Sequence, residues 1–335
     1  MFNDGRLHVD WILGKPCIQF VLADGTMVFA ETRQTTVCTP LIGVYRRCVR
    51  IGDVSIGLSA RSANDIRFTK ELDAFEAESP HCDIEIGIEW AERLQKSEGK
   101  RLFDSGALWT LYANDSGFIF DFATPLLGDQ PYKRVCVDKV FSEARMFLNR
   151  ECLSEIAPVY PLEYPLDELL VTNCLARGSG VEVHACGLVG SEIGSHLFLG
   201  HSGAGKSTTT RLWKSLPDVR ILSDDRIILR EHGNEIWMHG TPWHGEAGFA
   251  SAEEARIRRI LILEHGEKNE IVPLSKSRAV AELFARCFPP FYSRELLDST
   301  LSYLHRITNS VPCYLFRFLP NPSAVEKILN LYGGR

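Results

Sequence analysis

Long apolar runs are missing from this sequence. No segment approaches the roughly 20 consecutive apolar residues that a membrane-spanning helix needs. The first residues, MFNDGRLHVDWILGK, carry an acidic residue at once and have no apolar core of the length found in secretory signals. These absences predict a cytoplasmic protein that has no membrane partner.

Closely spaced cysteines and an excess of basic residues are missing as well. No two of the ten cysteines form a C-x-x-C motif, so neither a zinc ribbon nor a thioredoxin motif is present. In a cytoplasmic chain we expect reduced thiols that pack mostly as small hydrophobic side chains. The formal net charge of -6 argues against broad binding to nucleic acid, although it leaves a local basic groove open.

The length and composition are those of a globular protein. A chain of 335 residues is long enough for two domains or one large domain, and 45% hydrophobic residues is an ordinary proportion. The segment APVYPLEYP contains Pro158, Pro161 and Pro165, which predicts a domain boundary. We therefore expect a β-rich N-terminal domain over residues 1–157, which recognises the substrate or partner, and a second domain over residues 158–335.

The N-terminal region alternates apolar and polar residues as strands do. Strands are predicted over residues 17–22, 27–29, 49–58, 83–88, 107–112, 118–122 and 135–140, with turns at residues 23–26 and 114–117. Residues 89–100 are predicted to be a polar connector that could be helical, and residues 141–150 fit either a strand or a short helix. His8 and His81 have no partners at the spacing of metal ligands, so structural or surface roles are expected for them.

The stretch GHSGAGKS at residues 200–207 matches G-x-x-x-x-G-K-[ST] without substitution. Gly200, Gly203 and Gly205 are expected to take positive φ, so that successive N–H groups point into one concavity. A polyphosphate would sit there at the start of the next helix, where unpaired N–H groups and the helix dipole favour anions. Lys206 is expected to reach the β- and γ-phosphates, and the Ser207 hydroxyl to ligate Mg²⁺.

The context of this stretch favours a nucleotide site over a chance glycine-rich turn. Residues 196–199 are predicted to form a buried strand before it, and residues 207–216 a helix after it. The apolar run VEVHACGLV at residues 181–189 leads directly into the first strand, which predicts a hairpin in place of a parallel crossover. The residues expected to bind ATP are Gly200, His201, Ser202, Gly203, Ala204, Gly205, Lys206, Ser207 and Thr208.

Further elements are predicted on both sides of this site. Helices are expected after Pro165 with a C-terminal cap at Gly178, over residues 275–287 and 294–307, and after an Asn321 cap with Pro322 as the first helical residue. A hairpin is expected from strands at residues 227–230 and 235–239, and single strands at residues 260–264 and 313–318.

Two adjacent aspartates follow the next predicted strand, residues 219–222. An acidic residue at the end of an apolar strand after a phosphate loop is where Mg²⁺ or its bound water is held. We expect Asp225 at the metal and Asp224 as the base for an incoming hydroxyl, although the two roles could be exchanged. A simple strand-ending turn is the alternative, which the short spacing after Lys206 disfavours.

The glycine-rich segment GTPWHGEAGF, residues 240–249, contains Trp243, His244 and Glu246. Loops of this composition often line functional sites. A structural turn around a packed tryptophan is the alternative interpretation.

Taken in order, four features resemble HPr kinase/phosphorylase and its relatives, whose nucleotide domain is similar to that of phosphoenolpyruvate carboxykinase. These features are VHACG with His184, the loop GHSGAGKS, the segment ILSDDRIIL and the segment GTPWHGE. The resemblance covers about residues 160–330. It implies an α/β fold with a C-terminal P-loop kinase domain of this type, built on a mixed sheet and preceded by the β-rich N-terminal domain.

The resemblance also implies roles for residues. His184 would help at the phosphate and metal site, Lys206 and Ser207 would hold phosphate and metal, and one aspartate of the pair would act as base on a serine hydroxyl. Glu246 is a candidate for a further acidic catalytic residue. The N-terminal region and the segment after the aspartates differ from the family pattern, so an HPr substrate and a phosphorylase activity are not implied.

These observations predict an ATP-dependent, Mg²⁺-requiring kinase that phosphorylates a hydroxyl, with serine of a protein or peptide as the expected acceptor. Two alternatives stay open, a non-catalytic nucleotide-binding regulatory module and a kinase for a small metabolite. No nucleic-acid partner is expected, and a homo-oligomer is compatible with the sequence.

Overall fold

The computed structural model describes residues 8–12, 15–21, 27–30, 45–156, 158–190 and 194–330. Contacts within the chain divide it into two units, Met1–Thr39 and Pro40–Arg335. The first unit contains the strands β1 His8–Ile12, β2 Lys15–Val21 and β3 Met27–Ala30, and β2 pairs antiparallel with both others. The strands predicted at residues 17–22 and 27–29 are thus confirmed, whereas the turn predicted at residues 23–26 lies outside the described residues.

The first large sheet of the second unit has eight strands in the described part of the chain. They are β4 Tyr45–Ile51, β5 Val54–Ala60, β6 Ile84–Ala91, β7 Lys100–Asp104, β8 Trp109–Ala113, β9 Gly117–Phe122, β10 Lys133–Asp138 and β11 Glu143–Asn149. The order is β4-β5-β6-β11-β10-β9-β8-β7, and β6 is parallel to both β5 and β11. The short helices beside it are α1 Lys70–Asp73, α2 Arg150–Leu153 and the 3₁₀ turns Ala63–Ile66 and Pro125–Leu127.

One strand predicted in this region is interrupted, and one predicted connector is shorter than expected. Residues 49–58 form a hairpin, because Gly52 and Asp53 take φ values of 54° and 59° and Ile51 pairs with Val54. Two consecutive positive φ angles are typical of the tightest hairpin turns. The connector predicted over residues 89–100 is present at residues 92–99 and is irregular, not helical, because β6 runs on to Ala91 and β7 begins at Lys100.

Other expectations for this region hold. The turn at residues 114–117 is confirmed, and the Asn114 side chain accepts hydrogen bonds from the N–H groups of Ser116 and Gly117. Residues 141–150, which fit two structures, are mostly the strand β11.

The helix α3, Leu166–Leu175, follows the proline-rich segment and confirms the helix predicted after Pro165. Its buried leucines pack into the same hydrophobic cluster as the eight-stranded sheet, and this cluster also includes Ile228 and Trp243. Gly178, predicted as the C-terminal cap, has φ of 94°. The domain boundary near Pro158 stays a prediction.

The second large sheet has nine strands among the described residues. They are β12 Gly180–Gly190, β13 Gly194–Leu199, β14 Val219–Ser223, β15 Arg226–His232, β16 Glu235–His239, β17 Glu254–Arg256, β18 Arg259–His265, β19 Glu270–Pro273 and β20 Cys313–Phe318. The order is β17-β16-β15-β12-β13-β18-β20-β19, and β14 also pairs with β12. β12 and β13 are antiparallel, which confirms the predicted hairpin, whereas β13, β18 and β20 are parallel.

Helices cover both faces of this sheet. They are α4 Lys206–Lys214, α5 Lys276–Phe284, α6 Arg294–Ser310 and α7 Ser323–Leu329. Successive residues of β13 enter different clusters, since Leu197 and Leu199 pack with α5 and α6 whereas Phe198 packs with Trp213 of α4 and with α7. The second unit is therefore an α/β structure with two mixed sheets. None of the helices in the described ranges is long and apolar enough to cross a membrane.

The long strand β12 organises the region around the predicted nucleotide site. β13 occupies one edge of it, and β15 and β14 follow each other along the opposite edge. His184 is the last residue of β12 that pairs with β15, and Asp224 and Asp225 connect β14 to β15. Because the partner of β12 on this edge changes from β15 to β14, His184 lies close to the two aspartates.

Candidate functional site

The predicted phosphate loop, residues 200–207 and called the phosphate loop below, connects the end of β13 to the first turn of α4. Gly203 and Gly205 have φ values of 78° and 100°, as predicted. A Cβ atom at Gly205 would lie 2.5 Å from Cζ of Phe318, so both backbone conformation and space require glycine there.

Gly200 corrects one expectation, because it does not take a positive φ. Its requirement is steric: a Cβ at this position would lie 2.8 Å from Cβ of Ala204. On the other side of the loop, Nε2 of His265 lies 2.9 Å from the carbonyl oxygen of Gly203, and its ring stacks on Phe318. These contacts hold the loop curled at the N-terminus of α4.

Lys206 points back into the loop and is only 6% exposed. Its Nζ donates hydrogen bonds to the carbonyl oxygens of Gly200 at 3.0 Å and His201 at 3.3 Å. The same Nζ lies 2.7 Å from Nε2 of His184. Burial lowers the pKa of Lys206, although the negative charge of Asp225 opposes this effect.

Asp225 completes a chain of contacts that begins at Lys206. Its Oδ1 lies 2.8 Å from Nε2 of His184, and its Oδ2 lies 2.8 Å from Nη1 of Arg226. Burial acts to raise the pKa of Asp225, but the hydrogen bond with His184 and the charge of Arg226 lower it overall. The carboxylate is therefore the favoured form at neutral pH.

The Nε2 atom of His184 faces two partners with one hydrogen-bonding position. If it carries a proton it donates to Asp225, and if it does not it accepts from Lys206. A ring nitrogen cannot do both at once, so the contacts permit two proton arrangements among Lys206, His184 and Asp225. Groups that exchange protons in this way are suited to acid–base chemistry.

Asp224 has a different environment from Asp225. It is 1% exposed, and its carboxylate accepts hydrogen bonds from the backbone N–H groups of Gly245, Ala247 and Phe249 at 3.0, 2.9 and 3.1 Å. These three contacts tie the glycine-rich segment to the end of β14.

The glycine-rich segment fits both interpretations offered for it. Trp243 is buried, and its Nε1–H donates to Oδ2 of Asp167 at 2.8 Å, as expected of a packed tryptophan. Trp243 and His244 also line a cavity beside Asp225. Glu246 is exposed, and in the described part of the chain its carboxylate makes no hydrogen bond to the other predicted site residues.

The remaining predicted residues lie along the loop and its helix. His201, Ser202 and Gly203 are exposed, whereas Ala204, Gly205, Ser207 and Thr208 are half-buried. The loop therefore presents its middle to solvent and its ends to the protein, and the Ala204 N–H donates to the carbonyl oxygen of His201 within it.

Arg226 is a site residue that the sequence interpretation missed, although it directly follows the aspartate pair. Its Nε lies 3.1 Å from Oε1 of Glu168 and 3.2 Å from Oε1 of Glu182, and its guanidinium lies over the ring of Phe288. Burial and the charge of Glu168 raise the pKa of Glu182 well above its usual value, which favours a neutral carboxyl there. Arg226 is thus fixed from several sides and holds Asp225 in turn.

The cavity beside Asp225 has a volume of about 390 Å³. Asp225 and Arg226 form part of its wall, and the other lining residues come from α3 and its approach, the glycine-rich segment, and the region of α1. They are Thr69, Glu71, Leu72, Glu163, Tyr164, Asp167, Pro242, Trp243 and His244. We call it the Asp225 cavity.

Comparison with known proteins gives no match, either to a family model or to a curated protein. The case for a function therefore depends on the geometry of these residues.

Proposed function

We propose that the protein is an ATP-dependent, Mg²⁺-requiring kinase that transfers the γ-phosphate to a hydroxyl, with serine of a protein or peptide as acceptor. In this proposal the C-terminal region is a P-loop kinase domain of the HPr kinase and phosphoenolpyruvate carboxykinase type. The observation that carries it is the convergence of Lys206, His184 and Asp225, which come from three separate elements, at distances of 2.7 and 2.8 Å.

The residues of the loop fit a polyphosphate. A side chain at Gly200 or Gly205 would fill space that the curled backbone uses, and the N–H groups at the start of α4 have no partners within the helix. Ser207 would ligate Mg²⁺, which supplies positive charge that neutralises the phosphates. Lys206 would exchange its carbonyl partners for phosphate oxygens.

The two aspartates take roles that follow their surroundings. Asp225 faces both His184 and the Asp225 cavity. We therefore assign it the role of the base that accepts the proton of the acceptor hydroxyl. Asp224 positions the glycine-rich segment, and its charge also acts on Lys206. The sequence suggested Asp224 as the base, and this proposal gives that role to Asp225 instead. Phosphoryl transfer depends mostly on positioning and charge stabilisation, which these fixed groups supply.

The acceptor would enter through the Asp225 cavity. Thr69, Glu71 and Leu72 belong to the N-terminal region, which supports a role of that region in substrate recognition. A small hydroxylated metabolite is the second candidate acceptor, because about 390 Å³ lies within the usual range of small-ligand sites. We place the enzyme in the cytoplasm, in keeping with the eight described cysteines being free thiols.

The test is ADP release from ATP and Mg²⁺, with and without fractions of cell-extract peptides and metabolites. We expect one fraction to stimulate the wild type and to have no effect on Asp225→Asn or Lys206→Met. The matched control is Glu246→Gln, which changes an exposed carboxyl that makes no hydrogen bond to Lys206, His184 or Asp225 and should behave as the wild type does. Tight ATP binding without turnover under every addition would contradict the kinase proposal and leave a nucleotide-sensing module.

A further inference from the structure

A second group of ionisable side chains lies away from the phosphate loop, where the β4–β5 turn meets the edge of the nine-stranded sheet. Asp53, His232, His239 and Glu254 each place one potential ligand atom there, and these atoms lie within 4.8 Å of one another. Because these residues lie far apart in the sequence, no motif of metal-ligand spacing predicts the group.

The backbone holds the turn firmly against β15. A Cβ at Gly52 would lie 2.6 Å from Cδ1 of Ile228, so the turn approaches this strand as closely as glycine allows. Arg230 donates a hydrogen bond from Nη1 to the carbonyl oxygen of Gly52 at 3.0 Å. Asp53 is therefore delivered to the end of β15, next to His232.

The cross-strand pairing supplies the other residues. His239 lies opposite Ile228 of β15 and, on the other side, opposite Glu254 of β17. The rings of His232 and His239 stack with centroids 5.5 Å apart. The two imidazoles thus lie side by side and face the Asp53 carboxylate.

The distances suit a small metal ion. Oδ2 of Asp53 lies 3.1 Å from Nε2 of His232 and 3.9 Å from Nε2 of His239. A tetrahedral zinc ion with bonds of about 2.0–2.2 Å holds neighbouring ligand atoms about 3.3–3.5 Å apart. The two distances from Asp53 lie on either side of that separation.

The Nε2 atom of His239 is placed to bind a metal ion. His239 is 4% exposed, and its buried Nε2 has no hydrogen-bond partner among the residues that the structure describes. Its Nδ1 lies 3.0 Å from Oε2 of Glu254, so a proton on Nδ1 leaves the lone pair of Nε2 directed at the group. Histidines that ligate metals are commonly oriented in this way by a carboxylate on the other nitrogen.

We propose that Asp53, His232 and His239 bind a divalent transition-metal ion of the zinc type, with Glu254 holding His239 in the ligating tautomer. Two imidazoles and one carboxylate suit zinc and disfavour magnesium, which prefers oxygen ligands alone. The site is independent of the magnesium at Ser207 in the proposed kinase. A bound ion would connect the β4–β5 turn to β15 and β16.

The test uses the full chain after treatment with a chelator, with Zn²⁺ alone as the titrant in calorimetry and Co²⁺ as a spectroscopic substitute. We expect one ion per chain at this site, and binding at least tenfold weaker in His232→Ala and Asp53→Asn. Glu254→Gln should bind about 10–100-fold more weakly, since it loses only the orienting carboxylate. The His232 side chain is 41% exposed, so its removal leaves the core intact.

Two control variants separate this site from other zinc ligands. His305→Ala removes an exposed histidine elsewhere, and Cys82→Ser removes a thiol that lies near Cys48. Both should bind Zn²⁺ as the wild type does, and Zn²⁺ should raise the melting temperature of the wild type more than that of His232→Ala. Equal affinity and stoichiometry in His232→Ala, Asp53→Asn and the wild type, or no binding by the wild type, would overturn the proposal.

Discussion

The side chains of Lys206 and His184 meet at 2.7 Å although the residues are 22 positions apart. Lys206 begins α4 and His184 lies in β12, so the contact joins the phosphate loop to the strand beside it. Because Nε2 of His184 also lies 2.8 Å from Asp225, the histidine is the link between the loop and the aspartate.

Removal of this link is expected to slow phosphoryl transfer. In His184→Ala, Lys206 and Asp225 lose their shared partner, and we predict a decrease in turnover of about 10²-fold, the usual effect of removing one preorganised polar group from an active site. The measurement is acceptor-stimulated ADP release at saturating ATP. His81→Ala, a change at an exposed histidine, is the control. Wild-type turnover in His184→Ala would show that His184 has no role in the reaction.

The two loop glycines with positive φ should differ in their tolerance of a side chain. The added Cβ of Gly203→Ala meets no atom of the described residues within 4 Å, so the variant is expected to cost only backbone strain, about 1–2 kcal/mol. Gly205→Ala adds a clash with Phe318 and should cost more than that. Urea denaturation of both variants measures the difference, and an equal loss of stability would show that Phe318 moves aside freely.

Substitution of Asp224 should mainly lower stability, whereas substitution of Asp225 should mainly lower activity. Asp224→Ala removes the acceptor of three backbone N–H groups, and we expect the free energy of unfolding to fall by about 2–4 kcal/mol. Limited proteolysis should then cut within residues 244–249. Asp225→Asn should change the free energy of unfolding less and turnover more. The reverse order would reverse the roles assigned to the two aspartates.

Stability should depend on pH through Asp167. Burial raises the pKa of this carboxyl to about 7, although the Trp243 hydrogen bond opposes the shift. The folded protein therefore holds a proton that the unfolded chain releases near pH 4, and the free energy of unfolding falls as pH rises from about 4 to 7. The loss is at most about 4 kcal/mol, since each unit of pKa difference corresponds to about 1.4 kcal/mol.

The variant Asp167→Asn removes this titration, and its amide oxygen can still accept from Trp243, whereas the contact with the Glu168 N–H is lost at every pH. Chemical denaturation at pH 5 and pH 8 should show a smaller difference in the variant than in the wild type. The exposed carboxyl Glu246, changed to Gln, is the control. An unchanged difference in Asp167→Asn would assign the pH dependence to other groups, such as Glu182.

Much of the region around the site follows from local sequence patterns. The hairpin of β12 and β13, the loop and α4 were predictable because apolar runs, glycines and a lysine lie next to one another in the chain. The hairpin turn at Gly52 was missed because the apolar alternation continues on both sides of it. The connector predicted over residues 89–100 is shorter than expected, because pairing with β11 extends β6 to Ala91.

The contacts that give the site its geometry depend on tertiary structure. No sequence pattern indicates that Arg226 contacts Glu168 and Glu182, because these residues lie on other elements. The different environments of Asp224 and Asp225 also could not be foreseen, because they depend on where residues 245–249 return. Asp53 and His239 meet only through the packing of two sheets.

The way β12 is paired has a consequence for how this protein can be made or divided. During synthesis, β12 and β13 emerge first, and β12 keeps one edge unpaired until residues 219–230 have followed. A fragment that ends before residue 219 would contain the entire phosphate loop and still expose this edge, which is a template for association with other chains. The loop of this protein is therefore not a transferable module, because β12 needs β14 and β15 on one edge and β13 needs β18 on its other edge.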